Sequence, residues 1–230
     1  MIRERPALGS RVTSGRTAPS RAAFSLVELI LALSILGLLL GMPLLLMRSA
    51  DQLQDSRTAI AELEQRARRA LDAIAERLES SGTTAIPQWG GGPGVGVSVV
   101  DFQVAAGWTA GAPTWAPAER LQLADDPADP DDGLDNDGDG LVDEKRILWI
   151  RDAGLPTQSI RVLCTGVQDT LAGELPGNGL DDNGNGLVDE PGLSFAFDDD
   201  RVIVRLGLEK RDGSGRRQVH VGQRTVTFRN

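Results

Sequence analysis

Cysteine and histidine are almost missing from this chain of 230 residues. The single cysteine, Cys164, excludes an internal disulfide and any cysteine-based metal site, and it reads as a small buried hydrophobe. The single histidine, His220, lies in the alternating stretch Gln218-Val219-His220-Val221, the pattern of a strand with one solvent face, where His220 is expected. Neither a nucleophile motif of the G-x-S-x-G kind nor a phosphate-binding loop accompanies it, so an enzyme is not expected. Positive charge is also scarce over most of the chain. Residues 1 to 23 hold Arg3, Arg5, Arg11, Arg16 and Arg21 against Glu4, and of the formal net charge of −9 this leaves −13 for the rest. Phosphate binding needs clustered Lys and Arg on the folded part, so nucleic acid is not an expected partner. The balance suits cation binding instead. The length allows one globular domain with appendages.

Apolar residues crowd the run from Phe24 to Met47, which carries one ionisable residue, Glu28. At about 1.5 Å of rise per residue it is long enough to cross a hydrocarbon core of roughly 30 Å, so a transmembrane helix over 24–47 is expected. Arginines precede it, whereas Arg48, Asp51, Asp55 and Arg57 beyond it are balanced. The positive-inside rule then puts the N-terminus in the cytoplasm and everything after about residue 48 outside the inner membrane.

An ordinary secretory signal has a shorter apolar core followed by its small-residue cleavage site. Here the small residues, Ala22 and Ala23, come first, and Phe24-Ser25-Leu26-Val27-Glu28 follows. This order resembles the type III signal of prepilins. The resemblance implies that a basic leader, residues 1–23, is removed by a prepilin peptidase between Ala23 and Phe24, and that Phe24 becomes an N-methylated first residue. Ala23 departs from the family's usual Gly before the cut. A carboxylate near the start of a membrane helix is costly unless paired. In the family the partner of Glu28 would be the N-terminal amine of a neighbouring subunit. The competing reading is that Glu28 only snorkels at the interface of a single-span anchor.

Helical character continues through 48–81. Leu53, Ile60, Leu63, Ala67, Leu71, Ile74 and Leu78 form a narrow apolar stripe on a charged helix, with Glu62–Arg66 and Glu64–Arg68 as i,i+4 pairs. The helix is expected to stop near Ser81 before Gly82 and to kink or melt locally at Pro43. The remainder, 82–230, turns to short alternating segments broken by Gly and Pro. Strands are expected at Val95–Val104, Arg120–Leu123, Lys145–Arg151, Ile160–Cys164, Leu193–Phe197, Arg201–Glu209 and Gln218–Phe228, with a hairpin turn at Arg211–Gly215 and loop at Gly90–Gly94. The fold class is α+β and pilin-like: a long N-terminal helix, its first half membrane-spanning, packed on an antiparallel sheet head with two inserted acidic loops.

Those loops, at 131–144 and 177–190, are an internal repeat. Asp132-Gly-Leu-Asp-Asn-Asp-Gly-Asp-Gly-Leu-Val-Asp-Glu144 matches Asn178-Gly-Leu-Asp-Asp-Asn-Gly-Asn-Gly-Leu-Val-Asp-Glu190, and every difference is an Asp/Asn exchange. Oxygen ligands at alternate positions, a Gly at the sixth and a backbone carbonyl at the seventh form the first half of an EF-hand-type calcium loop. The expected ligands are Asp135, Asp137, Asp139 and Leu141 in the first copy, and Asp181, Asn183, Asn185 and Leu187 in the second. Position twelve is Arg146 or Gly192, so closure would fall to Asp143 or Glu144, and to Asp189 or Glu190. Two calcium sites are expected, the first tighter because it has more carboxylates. The competing reading is a pair of solvated acidic turns, although ten acids between Asp125 and Glu144 repel one another without a cation.

The N-terminal signal and helix resemble minor pseudopilins of type II secretion, of the J type, and W-type minor pilins of type IV pili. The head resembles them only in strand texture and in the ending Val226-Thr227-Phe228-Arg229-Asn230. Retention of Glu28 sets the chain apart from the K-type tip subunit. The implied partners are other pilin or pseudopilin subunits, prepilin peptidase, the inner-membrane assembly platform and membrane lipid. The alternative is a single-span anchored calcium-binding or adhesive protein that never polymerises.

Overall fold

The structure is a computed structural model that describes residues 25–82, 85–87, 96–198 and 200–228. The leader, the Gly90–Gly94 loop, Val95 and the last two residues lie outside them. The chain forms two compact units, Met1–Arg48 and Ser49–Asn230. One helix, α1 (Leu26–Glu79), contributes to both.

In the first unit the described residues of α1 present apolar side chains on every face, among them Leu29, Ile30, Leu33, Leu36, Leu40 and Leu45, all exposed. A helix that is hydrophobic all round needs hydrocarbon or other helices about it. α1 is long and apolar enough to cross a membrane. Pro43 has no N–H to give the carbonyl four residues earlier, yet the helix continues through it and does not melt.

In the second unit α1 is amphipathic, and Ala59, Leu63, Ala67, Ala70, Leu71, Ile74, Ala75 and Leu78 are buried. The stripe expected from the sequence is cut short, because Leu53 and Ile60 stay 60% and 42% exposed. The apolar spacing starts earlier than the stretch the sheet covers. Of the two expected i,i+4 pairs, Arg68 meets Glu64 at 2.5 Å. Glu62 instead takes Lys210, and Arg66 donates to the carbonyl of Thr165 at 2.6 Å. Tertiary partners displace a local pair worth only a few tenths of a kcal/mol.

Among the described residues nine strands follow α1: β1 (Val99–Phe102), β2 (Ala105–Thr109), β3 (Ala112–Trp115), β4 (Glu119–Asp125), β5 (Lys145–Arg151), β6 (Ser159–Val167), β7 (Leu193–Asp198), β8 (Arg201–Arg211) and β9 (Arg217–Thr227). Seven form one antiparallel sheet in the order β1-β4-β5-β6-β8-β7, with β9 on the other edge of β8, and β2 and β3 form a separate hairpin. The expected strands all exist, but Val95–Val104 contracts to β1 plus a bridge from Val97 to Phe195. The β2–β3 hairpin is not among the expected strands; Gly107, Gly111 and Pro113 are residues that strands disfavour.

Alternation decides which face the helix covers. Val202, Val204, Leu206 and Leu208 of β8 point inward with Ile147 and Trp149 of β5, Phe195 of β7 and Phe102 of β1, and they pack on Leu63, Ala67, Leu71, Ile74 and Leu78. Cys164 joins this core as a small hydrophobe. His220 departs from expectation: it is half-buried beside Gly222 while Val219 and Val221 face solvent. A Cβ on Gly222 would sit 3.0 Å from Leu71 Cδ1, so β9 turns its polar and glycine side toward the helix. Asp212 ties the β8–β9 turn to α1 by accepting from Ser56 at 2.6 Å, with Gln218 and Ser214 as further donors. The Ser214 and Ser56 bonds hold its carboxyl well below the usual range.

Candidate functional site

The first repeat joins the paired strands β4 and β5, and the second lies between β6 and β7, which both pair with β8. Both have positive φ at matching positions: Gly138 and Gly184, Gly140 (90°) and Gly186 (91°), and Asp143 (59°) and Asp189 (50°). A glycine is needed at the sixth position because no side chain tolerates that backbone there. The aspartate at position one of each calcium-type pattern closes the loop from inside. Asp135 accepts from Gly138 N at 2.7 Å and Gly140 N at 2.9 Å, and Asp181 accepts from Gly184 N at 2.7 Å and Gly186 N at 2.8 Å. Leu141 and Leu187 are buried and pin the loops to the head.

The carboxylates after the repeat divide their roles. Asp143 accepts from the backbone of Asp132 and Gly133, and Asp189 from that of Asn178 and Gly179, so both stitch the loop ends together. Glu144 and Glu190 turn inward, 5% and 0% exposed. Of the pairs the sequence left open, the glutamates face the loop interior.

In the first loop Asp135, Asp137 and Asp139 each offer an oxygen within 4.8 Å of the others. Beside them Glu144 is buried against Asp129, and a cavity of about 250 Å³ opens between these acids and the sheet. Burial, then the hydrogen bond with Asp129, push the Glu144 carboxyl up to about 8. The same bond, with the backbone N–H of Asn136, holds Asp129 down at about 2. Asp129 lies before the repeat, between Ala128 and Pro130, so sequence comparison of the two copies missed it; the one available signal was its place in the acidic run.

In the second loop the side chains corresponding to Asp137 and Asp139 are amides. Asn183 and Asn185 donate to Glu190 Oε2 at 3.3 and 2.6 Å, and Arg205 donates to Oε1 at 3.1 Å. The remaining exchange is compensated: Asn136 donates to Asp132 at 3.0 Å, and Asn178 donates to Asp182 at 2.6 Å.

At the other end of the chain, Ala23 and Phe24 lie outside the described residues. The Ser25 carbonyl accepts the first helical bond, from Leu29 N at 3.1 Å, which makes Ser25 the N-cap of α1. Glu28 stands three residues on, in the first turn, where a carboxylate faces the positive end of the helix dipole. Its side chain has no hydrogen-bond or ion-pair partner among the described residues.

Residues 19–42 match the prokaryotic N-terminal methylation motif. No curated protein and no solved structure matches the chain. The motif implies processing by prepilin peptidase and assembly with other pilin subunits, and with the apolar start of α1 it suggests a single-pass inner-membrane anchor. The matched segment, the long helix and the antiparallel sheet together support a type IV prepilin-like protein.

Proposed function

We propose that this chain is a structural subunit, a J-type minor pseudopilin or a W-type minor pilin, that assembles through its N-terminal helix into a type II secretion pseudopilus or a related pilus filament. Prepilin peptidase cuts between Ala23 and Phe24, Phe24 is N-methylated, and the head stands on the extracytoplasmic side. The observation that carries this reading is Glu28: a single carboxylate, without a partner among the described residues, in the first turn of α1, within a prepilin-type motif and an apolar segment that runs to Met47 with no other charge. Such a group needs a partner in lipid, and the amine of a neighbouring subunit would supply one while setting the axial register. Calcium drawn to the acidic-loop region would stabilise the head by mass action.

N-terminal mass spectrometry of the membrane-extracted protein tests the reading. The expected chain begins at Phe24 with one added methyl. A chain still starting at Met1 in cells with active peptidase would favour the single-span anchored calcium-binding or adhesive protein.

A further inference from the structure

The two acidic loops share a sequence pattern and a backbone, and they differ in what meets their inward glutamate. In the second loop both Glu190 oxygens are occupied, one by the Asn183 and Asn185 amides and the other by Arg205. Arg205 supplies the positive charge that a buried carboxylate requires, and the two neutral amides add N–H donors. In the first loop Asp137 and Asp139 take the places of the two amides and cannot donate when ionised. Glu144 is 5% exposed, and its Oε1 has no hydrogen-bond partner. The cavity it lines is shared with Asp126, Asp129, Asp137 and Asp139.

Two cations line that cavity, and both have other partners. Arg66 donates to the carbonyl and hydroxyl of Thr165 at 2.6 and 3.1 Å, and Lys210 pairs with Glu62. Lys145 serves Asp125, Asp131 and Asp169. The first loop thus has a buried carboxylate oxygen facing a cluster of carboxylates, with no hydrogen-bond partner among the described residues. Glu174, upstream of the second loop, also has one unpartnered oxygen, but the cavity it lines with Gln168 and Glu209 includes no residue of that loop.

We propose that the first loop binds one divalent cation through Asp137, Asp139 and Glu144, with Asp129 and Asp135 beside them, and that in the second loop Asn183 and Asn185 stand in for the ion. Hard oxygen ligands in this number suit calcium. The inference rests on the reading that the acidic-loop region takes calcium, and it narrows two expected sites to one. The Asp/Asn exchanges are then the device that makes one loop ion-dependent and the other self-sufficient.

Calcium stoichiometry of the detergent-solubilised full chain, measured by equilibrium dialysis at about 1 mM free calcium, tests it. One ion per chain is expected. D137N/D139N copies the second loop's amides into the first; it should weaken binding at least about a hundredfold and make the head's melting temperature indifferent to chelator. N183D/N185D performs the reverse exchange and should raise the stoichiometry to two. Two ions in the unaltered chain, or one ion retained by D137N/D139N, would overturn the inference while sparing the calcium reading. No ion bound at millimolar calcium, and no thermal shift, would overturn both.

Discussion

The two parts of α1 answer to different surroundings. From Leu26 to Met47 the helix is apolar on all sides and exposed in the described structure, whereas from Ala59 to Leu78 it buries one stripe and keeps its other faces charged. A stripe is enough when a sheet covers it; a fully apolar cylinder has no stable home in water. The difference teaches that one continuous helix can carry two separable tasks, with the sheet holding only the second part.

The largest effect should therefore come from truncating the covered stripe. Ile74, fully buried among sheet residues, should cost the head roughly 2–5 kcal/mol on Ile74→Ala, whereas Leu33→Ala, 58% exposed in the first part, should leave the head's melting unchanged. Near-UV circular dichroism melts of the solubilised chain would show both, and equal destabilisation by the two substitutions would break the comparison.

Glu28→Ala probes the first part where its task is assembly. Membrane insertion should persist, because removing a charge eases entry into lipid. Cross-linking to neighbouring subunits should be lost, and cross-linking at the normal level would leave Glu28 as an interfacial snorkel.

The smallest expected effect is on pH dependence, through the Asp212 bond to Ser56 that fastens the second part to the β8–β9 turn. The folded-state pKa of Asp212 is lowered from its usual 3.8. Its contribution is therefore complete above that value and is lost as pH falls toward the lowered one. Asp212→Asn should flatten the dependence of melting temperature on pH below about pH 5. An unaltered slope would mean that other carboxylates set the acid limit.

Much of this was legible in the sequence because the signals were periodic. The apolar run after Phe24, the alternation in β5 and β8 and the repeated loop motif each declare a local structure without reference to the rest of the chain. What escaped depended on distant partners. Arg66 turned from Glu62 to Thr165, ninety-nine residues away, and His220 turned toward the helix because Gly222 lets the backbone come close. Asp129 escaped because it falls outside the repeat, and the division of labour between Asp143 and Glu144 escaped because adjacent carboxylates differ only in the backbone angle that aims them.

The second loop also sets a chemical clock. Asn183 and Asn185 are each followed by glycine, the arrangement in which a backbone nitrogen most readily attacks the preceding side-chain amide and releases ammonia through a cyclic imide. The nitrogens that would attack, those of Gly184 and Gly186, are both held by the Asp181 carboxylate at 2.7 and 2.8 Å. Asp181 therefore restrains the ageing of the two amides whose donation to Glu190 keeps this loop balanced. Each deamidation would put a negative charge where a donor had been, and peptide mapping of stored Asp181→Ala protein should find Asn183 and Asn185 converted sooner than in the unaltered chain.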